Sequence, residues 1–296
     1  MLTNASPMKA SLSIGELISV GANLLAPTSD SPKLDVQLLI AFVLDKPTTY
    51  LVTWPDKSLS KSQFTQFISL FERRLNGEPI AYLTGKKGFW SLELFVSSAT
   101  LIPRPDTEVL VEKALEIAQQ FTEKTECRLL DLGTGTGAIA LSLASELKMW
   151  KVEAIDYSHD AVKLSERNAI ENQITNCDIY QSDWFDNVPM GTKFDLIVSN
   201  PPYIDEEDVH LSQGDVRFEP KSALVASNNG LADIEHISKN ARDYLVDNGY
   251  LIFEHGYDQG EKVRNILHSL GFENVNTKQD YAGNDRITFA SYNNKN

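Results

Sequence analysis

Residues 129–137 have the sequence Leu129-Leu130-Asp131-Leu132-Gly133-Thr134-Gly135-Thr136-Gly137. The short apolar run predicts a buried strand, and the apolar spacing over Ala138–Leu147 predicts that a helix follows. Glycines between the two allow a tight turn and let the backbone approach a ligand, because no Cβ is in the way. Open α/β sheets bind their ligands at such turns, beyond the carboxyl ends of the strands. We therefore predict an α/β fold with a ligand site at this loop.

The alternation of strands and helices continues from this stretch towards the end of the chain. Beginning with Arg128–Leu132, strand-like runs recur at Lys151–Asp156, Asp178–Gln181, Phe194–Ser199, Tyr250–Glu254 and Arg286–Ala290. Helical patterns fall between most of these runs, at Ala138–Leu147, Ser158–Asn172, Leu231–Val246 and Gln259–Leu270. Repeated strand–helix units predict a mainly parallel sheet that is covered by helices on both faces.

The first 76 residues carry helical periodicity instead. Apolar residues recur at helical spacing over Ile14–Leu25 and Val36–Val43. Ser60 and Gln63 form a possible capping box for a third helix, so we predict a small bundle of three or more short helices. Residues 90–94 then alternate in polarity, as in a half-buried strand. The predicted organisation is a helical domain at 1–76, a linker at 77–105 and an α/β domain at 106–296.

The charge of the chain is unevenly distributed. Residues 1–85 contain seven Lys/Arg and seven Asp/Glu, so the net charge of −14 arises entirely in the remainder. Because nucleic acid is bound mainly by neutralising its phosphates with Lys and Arg, we expect no stable nucleic-acid binding. No apolar run approaches the ~18 residues of a membrane span, and no signal-peptide pattern is visible. We expect a cytoplasmic protein without membrane association, and the two cysteines, Cys127 and Cys177, predict no metal site.

A second carboxylate suggests the class of ligand at the glycine-rich loop. Asp156 ends the second predicted strand, 19 residues beyond Gly137. A carboxylate at this position can accept hydrogen bonds from both ribose hydroxyls of an adenosine-type ligand. The loop also satisfies the relaxed dinucleotide pattern G-x-G-x-x-A, which leaves a nicotinamide cofactor open. Asp131 favours S-adenosylmethionine, because an acidic residue there can meet the amino group of an amino acid, which NAD lacks.

Asp183 and Trp184 follow the third predicted strand. The carboxylate could bind the amino group of adenine while the indole covers its ring. The alternative interpretation, that Trp184 is a core aromatic, has equal weight on the sequence alone.

The segment Asn200-Pro201-Pro202-Tyr203 is the most specific chemical signal. It follows a strand that should lie beside the first one, at the carboxyl edge of the sheet. A planar NH₂ group is a poor nucleophile but carries two donors, which the Asn200 side-chain oxygen and the Pro201 carbonyl can accept. Both acceptors would aim the nitrogen at a methyl group and stabilise its developing charge. Pro201 and Pro202 would fix φ and keep the Pro201 carbonyl in place, and Tyr203 can stack on the flat group. No metal or covalent nucleophile is required.

Three other functions remain open on this evidence. One is a nucleic-acid N-methyltransferase that acts on the amino group of adenine or guanine. A second is an NAD-dependent oxidoreductase, which would have no use for Asn200–Tyr203. The third is a non-enzymatic binding protein that has an ordinary Asn-Pro turn at this position.

Together, the two motifs resemble those of class I S-adenosylmethionine-dependent N-methyltransferases. Further stretches narrow the resemblance to the release factor N5-glutamine methyltransferases, the PrmC/HemK family, from near residue 10 to near residue 292. These stretches are Gly77-Glu78-Pro79-Ile80-Ala81-Tyr82-Leu83-Thr84-Gly85, Leu101-Ile102-Pro103-Arg104-Pro105-Asp106-Thr107-Glu108, Gln181-Ser182-Asp183-Trp184-Phe185, Gly214-Asp215-Val216-Arg217-Phe218-Glu219-Pro220 and Glu254-His255-Gly256.

The resemblance implies both a fold and a reaction. The fold would be a helical bundle, a β-hairpin linker and a seven-stranded Rossmann-like methyltransferase sheet whose last strand is antiparallel. The reaction would convert S-adenosylmethionine to S-adenosylhomocysteine and methylate the glutamine of the Gly-Gly-Gln loop in class 1 peptide chain release factors. The cofactor would contact Gly133–Gly137, including Thr134 and Thr136, together with Asp156, Trp184 and Asn200. Asn200–Tyr203 would hold the glutamine, with Arg104 and Phe89 near the site.

Overall fold

The structure, a computed structural model, describes residues 8–212 and 214–293. They form two compact units. The first contains the described residues up to Gly85 together with Ser212–Phe218, and the second contains Lys86–Leu211 and the residues from Glu219 onward. The three-part division at 1–76, 77–105 and 106–296 stays a prediction.

The first unit is helical. Its helices are α1 (Ile14–Leu25), α2 (Pro32–Leu44), α3 (Thr48–Thr53), α4 (Lys61–Leu75) and α5 (Ile80–Thr84). Ser60 caps α4 by accepting from the Gln63 amide while the Gln63 side chain accepts from the Ser60 amide, which confirms the predicted capping box. The apolar faces of these helices share one core cluster that includes Leu17, Leu39 and Phe67.

The second unit begins with a β-hairpin of strands β1 (Lys86–Phe89) and β2 (Leu92–Phe95). The predicted strand at residues 90–94 is wrong at its start, because Trp90 lies in the turn between the two strands with φ of 55°. A left-handed backbone cannot continue a strand, so the alternation of polarity begins at Leu92. The Asn168 side chain binds the end of the hairpin. Its Oδ1 accepts from the Phe95 amide, and its Nδ2 donates to the Phe95 carbonyl.

A seven-stranded sheet is the framework of the second unit. Its strands are β3 (Arg128–Leu132), β4 (Lys151–Asp156), β5 (Cys177–Gln181), β6 (Phe194–Ser199), β7 (Leu245–Glu254), β8 (Glu273–Gln279) and β9 (Asp285–Tyr292). They lie in the order β5-β4-β3-β6-β7-β9-β8. Neighbours from β5 to β7 are parallel, whereas β9 runs antiparallel to β7 and β8. The sheet confirms the predicted seven-stranded α/β fold with an antiparallel last strand.

Helices cover both faces of this sheet, as predicted. They are α6 (Glu108–Ala118), α7 (Ala138–Glu146), α8 (His159–Glu171), the one-turn segment α9 (Ser227–Gly230), α10 (Ala232–Ala241) and α11 (Gly260–Ser269). Successive residues of β3 point to opposite faces, so Leu129 lies in one core cluster and Leu130 in the other.

One predicted helix is shorter in the structure, and one strand of the sheet was not predicted. The predicted helix Leu231–Val246 ends at Ala241, and Leu245 and Val246 belong to β7, where Leu245 pairs with Phe194. Strand β8 was missed because it lies at the sheet edge and carries mostly polar, partly exposed side chains, which leave no apolar period.

Among residues 8–212 and 214–293, no helix combines the length and apolar character needed to cross a membrane. The same residues contain no group of three or more His, Cys, Asp or Glu side chains placed to hold a metal ion.

Candidate active site

The carboxyl ends of β3, β4, β5 and β6 meet at one edge of the sheet, because these strands are parallel neighbours. The loops that follow them surround a cavity of about 410 Å³, a size typical of small-molecule sites. Nine of the residues predicted from the sequence line it: Gly133, Thr134, Gly135, Thr136, Asp156, Asp183, Trp184, Asn200 and Pro202. The fold therefore brings both sequence motifs to one cavity in the second unit.

The other predicted site residues do not line this cavity. Asp131, Gly137 and Pro201 are buried. Tyr203 is half-buried, and its carbonyl accepts a hydrogen bond from Gln259 Nε2 at 2.9 Å. The roles assigned to these four residues stay predictions.

The first and last glycines of the glycine-rich loop have different surroundings, and only the last is closely packed. At Gly133 a Cβ would lie 3.6 Å from the Trp184 ring, so the loop and the indole are in contact at the cavity wall. At Gly137, where φ is +83°, a Cβ would lie 2.6 Å from Ser165 Oγ and 2.8 Å from Leu141 Cδ1. Gly137 therefore permits the tight start of α7, while Gly133 allows the backbone to reach the cavity.

Asp156 holds the loop as well as lining the cavity. Its Oδ2 accepts from the Gly135 amide and its Oδ1 from the Ser158 amide, each at 2.8 Å. Burial raises the pKa of this carboxyl, and the two backbone donors oppose the rise. The carboxylate thus connects the end of β4 to the turn after β3, a connection that the sequence did not reveal.

Asp131 is fully buried at the end of β3. Its Oδ2 accepts from Thr134 Oγ1 at 2.7 Å and from the Ala140 amide at 3.2 Å. Its Oδ1 has no hydrogen-bond partner among the described residues. Burial raises the pKa of Asp131 to about 7. A buried acceptor without a donor is costly, so a ligand that brings an N–H group would satisfy it.

Asp183 and Trp184 both lie at the cavity wall after β5. The Trp184 backbone has a φ of 44°, and its carbonyl accepts from Ser182 Oγ at 2.7 Å. The indole also packs against the core cluster on one face of the sheet. Trp184 thus lines the cavity with part of its ring and contacts the core with the rest, so both interpretations of this residue describe part of its surroundings.

An arginine and a glutamate outside the motifs complete one side of the cavity. Arg104 lines the cavity and donates Nη2 to both Glu219 oxygens, at 2.8 and 2.7 Å. Glu219 is buried and also accepts from the Ile102 amide at 3.1 Å. Phe89 belongs to a core cluster instead.

Glu254 was assigned no chemical role from the sequence. It ends β7, beside the Asn200 loop, and is 2% exposed. Burial raises the pKa of Glu254 to about 7, although hydrogen bonding to the side chains of Thr107 and Asn200 lowers it. The signal available in the sequence was its position at the carboxyl end of the predicted strand Tyr250–Glu254.

Curated relatives match almost the whole chain. The chain is 57% identical over 264 residues to the release factor glutamine methyltransferase of Vibrio cholerae, covering 89% of this chain and 91% of that protein. It is 52% identical over 283 residues to that of Aliivibrio fischeri, covering 95% and 98%. The Escherichia coli protein of the same name is 51% identical over 264 residues, covering 89% and 94%.

Solved structures support the fold. The methyltransferase from Pyrococcus furiosus superposes with a TM-score of 0.50 at 18% identity, covering 74% of this chain and 95% of that one. The hMettl16 catalytic domain in complex with MAT2A 3'UTR hairpin 1 gives a TM-score of 0.56 at 13% identity, covering 85% and 90%. At these identities the similarity concerns the fold alone.

Two family models match separate parts of the chain. The PrmC N-terminal domain matches residues 16–85, and the methyltransferase small domain matches residues 112–219. The second range contains the glycine-rich loop and Asn200–Tyr203. Together with the relatives, these matches confirm the resemblance seen in the sequence: the chain belongs to the release factor glutamine methyltransferase family.

Proposed function

We propose that this protein transfers a methyl group from S-adenosylmethionine to the side-chain amide nitrogen, N5, of the glutamine in the Gly-Gly-Gln motif of class 1 peptide chain release factors. The observation that carries the proposal is that Asn200 and Pro202 line the same cavity as Gly133–Thr136 and Asp156. An acceptor for a planar NH₂ group and a nucleoside-type loop therefore border one cavity.

The residues around the cavity fit S-adenosylmethionine. Asp156 would accept from the ribose hydroxyls, and Asp183 with Trp184 would meet the adenine. The amino group of the methionine part would supply the donor that Asp131 Oδ1 lacks among the described residues. When bound, the cofactor supplies a methyl group on a sulfonium, which is already a good leaving group, so the protein's task is mainly alignment.

Two acceptors on the Asn200 loop would carry the reaction. The glutamine nitrogen is a weak nucleophile because its lone pair is delocalised into the carbonyl. Asn200 Oδ1 and the Pro201 carbonyl would each accept one of its hydrogens and orient the lone pair towards the methyl group. Positive charge would develop on the nitrogen during methyl transfer, and both acceptors would stabilise it. The nitrogen then releases a proton to solvent.

A nucleic-acid amino group could engage the same two acceptors, so the loop alone does not choose the substrate. The relatives' name favours glutamine of a release factor. The net charge of −14 also disfavours a phosphate-rich partner.

The test is mass spectrometry of an unmethylated release factor after incubation with this protein and S-adenosylmethionine. We expect a gain of one methyl group on the Gly-Gly-Gln peptide, localised to glutamine, and no transfer to bulk DNA or RNA. Transfer to nucleic acid in place of protein would overturn the proposal. So would the absence of transfer to release factors when calorimetry shows that the cofactor binds.

Asn200→Ala separates the chemistry from cofactor binding. We expect its turnover to fall about 100-fold, the usual effect of removing one group that stabilises transition-state charge. Its affinity for S-adenosylmethionine should fall only a few-fold. Asn240→Ala is the matched control, because Asn240 bonds the His236 carbonyl within α10. Full turnover of Asn200→Ala would disprove the role assigned to Asn200.

A further inference from the structure

Glu254 lies directly beside the segment Asn200–Tyr203, here called the reaction loop. Strand β7 runs parallel to β6, and Phe253 pairs with Ser199. The two strands therefore end side by side at the same edge of the sheet. Glu254 is therefore the neighbour of Asn200 across the two strand ends. On its other side it pairs with Ile287 of β9. The carboxyl group is thus enclosed between the loop and the sheet, and the residue is 2% exposed.

The charged and polar groups around Glu254 come from three parts of the chain. Arg286 lies on β9, Asp106 and Thr107 precede α6, and Tyr203 lies on the reaction loop. Arg286 is an ion-pair partner of Asp280 at 3.0 Å and of Asp106 at 3.6 Å. Its charge is therefore already shared by two other carboxylates, so a structural ion pair does not account for the burial of Glu254.

The hydrogen bonds of Glu254 are also incomplete. The Thr107 and Asn200 side chains are near enough for hydrogen bonding to lower the pKa of the carboxyl group, against the larger effect of burial. Its Oε2, however, has no hydrogen-bond partner among the described residues. Burying a carboxyl group without a full set of hydrogen bonds costs stability. Its retention therefore indicates a functional requirement, and its position beside Asn200 suggests what that requirement is.

We infer that Glu254 is a positioning residue that fixes the orientation of the Asn200 amide for the transfer reaction. A carboxylate can only accept hydrogen bonds, so Asn200 must present Nδ2 to it. The Oδ1 atom is then left for the substrate NH₂ group. The negative charge beside Nδ2 also polarises the Asn200 amide and makes Oδ1 a stronger acceptor. This inference rests on the proposed function. It adds Glu254 as the residue that orients the acceptor, Asn200 Oδ1.

The orientation should depend on pH. A protonated carboxyl group carries a donor and can bond Asn200 Oδ1, which would turn the amide away from its working orientation. Burial places the pKa of Glu254 at about 7, with Arg286 and the bonds from Thr107 and Asn200 lowering it and Asp106 raising it. The ionised form predominates above that pKa, so turnover should increase as the pH rises through about 7.

The first experiment examines the free protein, without a release factor. We would follow the Asn200 side-chain amide by two-dimensional ¹H–¹⁵N NMR as the pH is raised from below to above 7. Its signal is assigned by its absence in Asn200→Ala. We expect the signal to shift with a midpoint near pH 7, and Glu254→Gln to abolish the shift. If the chemical shift of the wild-type Asn200 amide does not change with pH, the inference is overturned, whatever the substrate.

The second experiment measures methyl transfer. We expect Glu254→Gln to lower kcat about tenfold or more, to leave cofactor affinity within about threefold, and to lose the dependence of kcat on pH near 7. Glu254→Asp, which keeps the charge, should retain that dependence. Glu153→Gln is the control, because Glu153 is also buried in the sheet but is bonded by Arg128 and Tyr180; its kcat should match the wild type.

The outcomes separate this inference from the proposed function. Wild-type kcat and an unchanged pH profile in Glu254→Gln would overturn the inference. A parallel loss of kcat and cofactor affinity would do the same, because it would indicate a structural role. If wild-type protein methylates no release factor but the Asn200 signal titrates only when Glu254 is present, the proposed substrate fails and the positioning role stands.

Discussion

Asp131 and Asp156 lie near the ends of the neighbouring strands β3 and β4, and their different surroundings suit them to different roles. Asp156 lines the cavity and takes a backbone donor on each oxygen. Asp131 is fully buried, and only its Oδ2 is bonded among the described residues. The pKa of both carboxyl groups is raised by burial, that of Asp131 to about 7. Asp156 is therefore suited to hold the loop and a ribose, and Asp131 to meet a cation.

Asp131→Asn should stabilise the free protein at pH 8. A folded pKa of about 7 against an ordinary 3.8 means that stability is greatest below about pH 4 and is lost as pH rises towards 7. The shift corresponds to about 4 kcal/mol at pH 8, of which we expect the neutral amide to recover about 1–3 kcal/mol. Calorimetric unfolding at pH 8 and pH 4.5 measures this gain, which should shrink at the lower pH.

The same variant should bind S-adenosylmethionine more weakly, because the amide offers a donor where the ligand needs an acceptor. Asp178→Asn is the control, since Asp178 is exposed on β5 and should change stability by less than about 0.5 kcal/mol. An Asp131→Asn protein that is less stable than the wild type at pH 8 would contradict this account of the buried charge.

Asp156→Ala should raise the dissociation constant of S-adenosylmethionine about tenfold or more. The substitution removes the acceptor of the Gly135 and Ser158 amides as well as the proposed ribose contact. Isothermal titration calorimetry measures the constant, with Asp160→Ala in the exposed first turn of α8 as the control. An unchanged dissociation constant would show that the ribose assignment is wrong.

At the scale of elements, the reaction loop is held by segments from far along the chain. Gln259, which precedes α11, donates Nε2 to the carbonyls of Tyr203 at 2.9 Å and Asn229 at 3.1 Å. Its Oε1 accepts from the Gly256 amide at 2.8 Å. Gly230, at the end of α9, lies against the same Tyr203 carbonyl. The geometry of Asn200–Tyr203 therefore depends on α9 and the start of α11 as well as on its prolines.

Gly230→Ala should damage turnover more than cofactor binding. A Cβ there would lie 2.0 Å from the Tyr203 oxygen, which is backbone and must move. We expect kcat to fall about tenfold or more, because a shift of about 1 Å at a catalytic loop costs more than that. Cofactor affinity should stay within about threefold of the wild type, because the loop after β3 is untouched.

Gly271→Ala is the matched control for the backbone cost. Gly271 has a φ of +81°, similar to that of Gly230 at +77°, but a Cβ there would meet nothing within 4 Å. Both variants share the conformational penalty of about 1 kcal/mol, and only Gly230→Ala adds the collision. Equal kinetics for the two variants would show that the contact with Tyr203 does not position the loop.

At the scale of the whole molecule, each of the two units has its own apolar core. The second unit has a central sheet between two apolar clusters. The first unit adds to its apolar cluster a buried ion pair, in which Arg74 Nε donates to Asp35 Oδ2 at 2.8 Å. Arg74 also contacts Asp215 at 3.1 Å, so a segment more than a hundred residues away in sequence completes the first unit.

Arg74→Met should destabilise the first unit by about 3–5 kcal/mol, because it leaves Asp35 as an uncompensated buried charge. Cofactor affinity should be unchanged, since the cavity lies in the second unit. Hydrogen exchange of the α2 and α4 amides, together with calorimetry, measures both quantities. Arg73→Met is the control, because Arg73 pairs with Glu78 at a more exposed position and should cost about 1 kcal/mol or less. Equal exchange in the two variants would contradict the role of the buried pair.

Much of the fold was predictable because its signals are local. The strands Arg128–Leu132, Lys151–Asp156 and Phe194–Ser199 have the bounds expected from their apolar runs. The edge strand Glu273–Gln279 and the turn at Trp90 were not predictable in this way. The edge strand buries few side chains, and the left-handed Trp90 is imposed by the pairing of β1 with β2.

The sequence by itself determined the family, most of the order of strands and helices, and the two loops that line the cavity. The family follows from the resemblance of its motifs. Chain order and strand periodicity suffice for the rest, because parallel strands bring their carboxyl ends to one edge. Only the tertiary structure decided the burial of Asp131 and Glu254, the contact of Gln259 with the Tyr203 carbonyl, and the neighbourhood of Glu254 and Asn200. Burial and hydrogen bonding of these groups depend on segments distant in sequence that meet only after packing, and no local pattern records them.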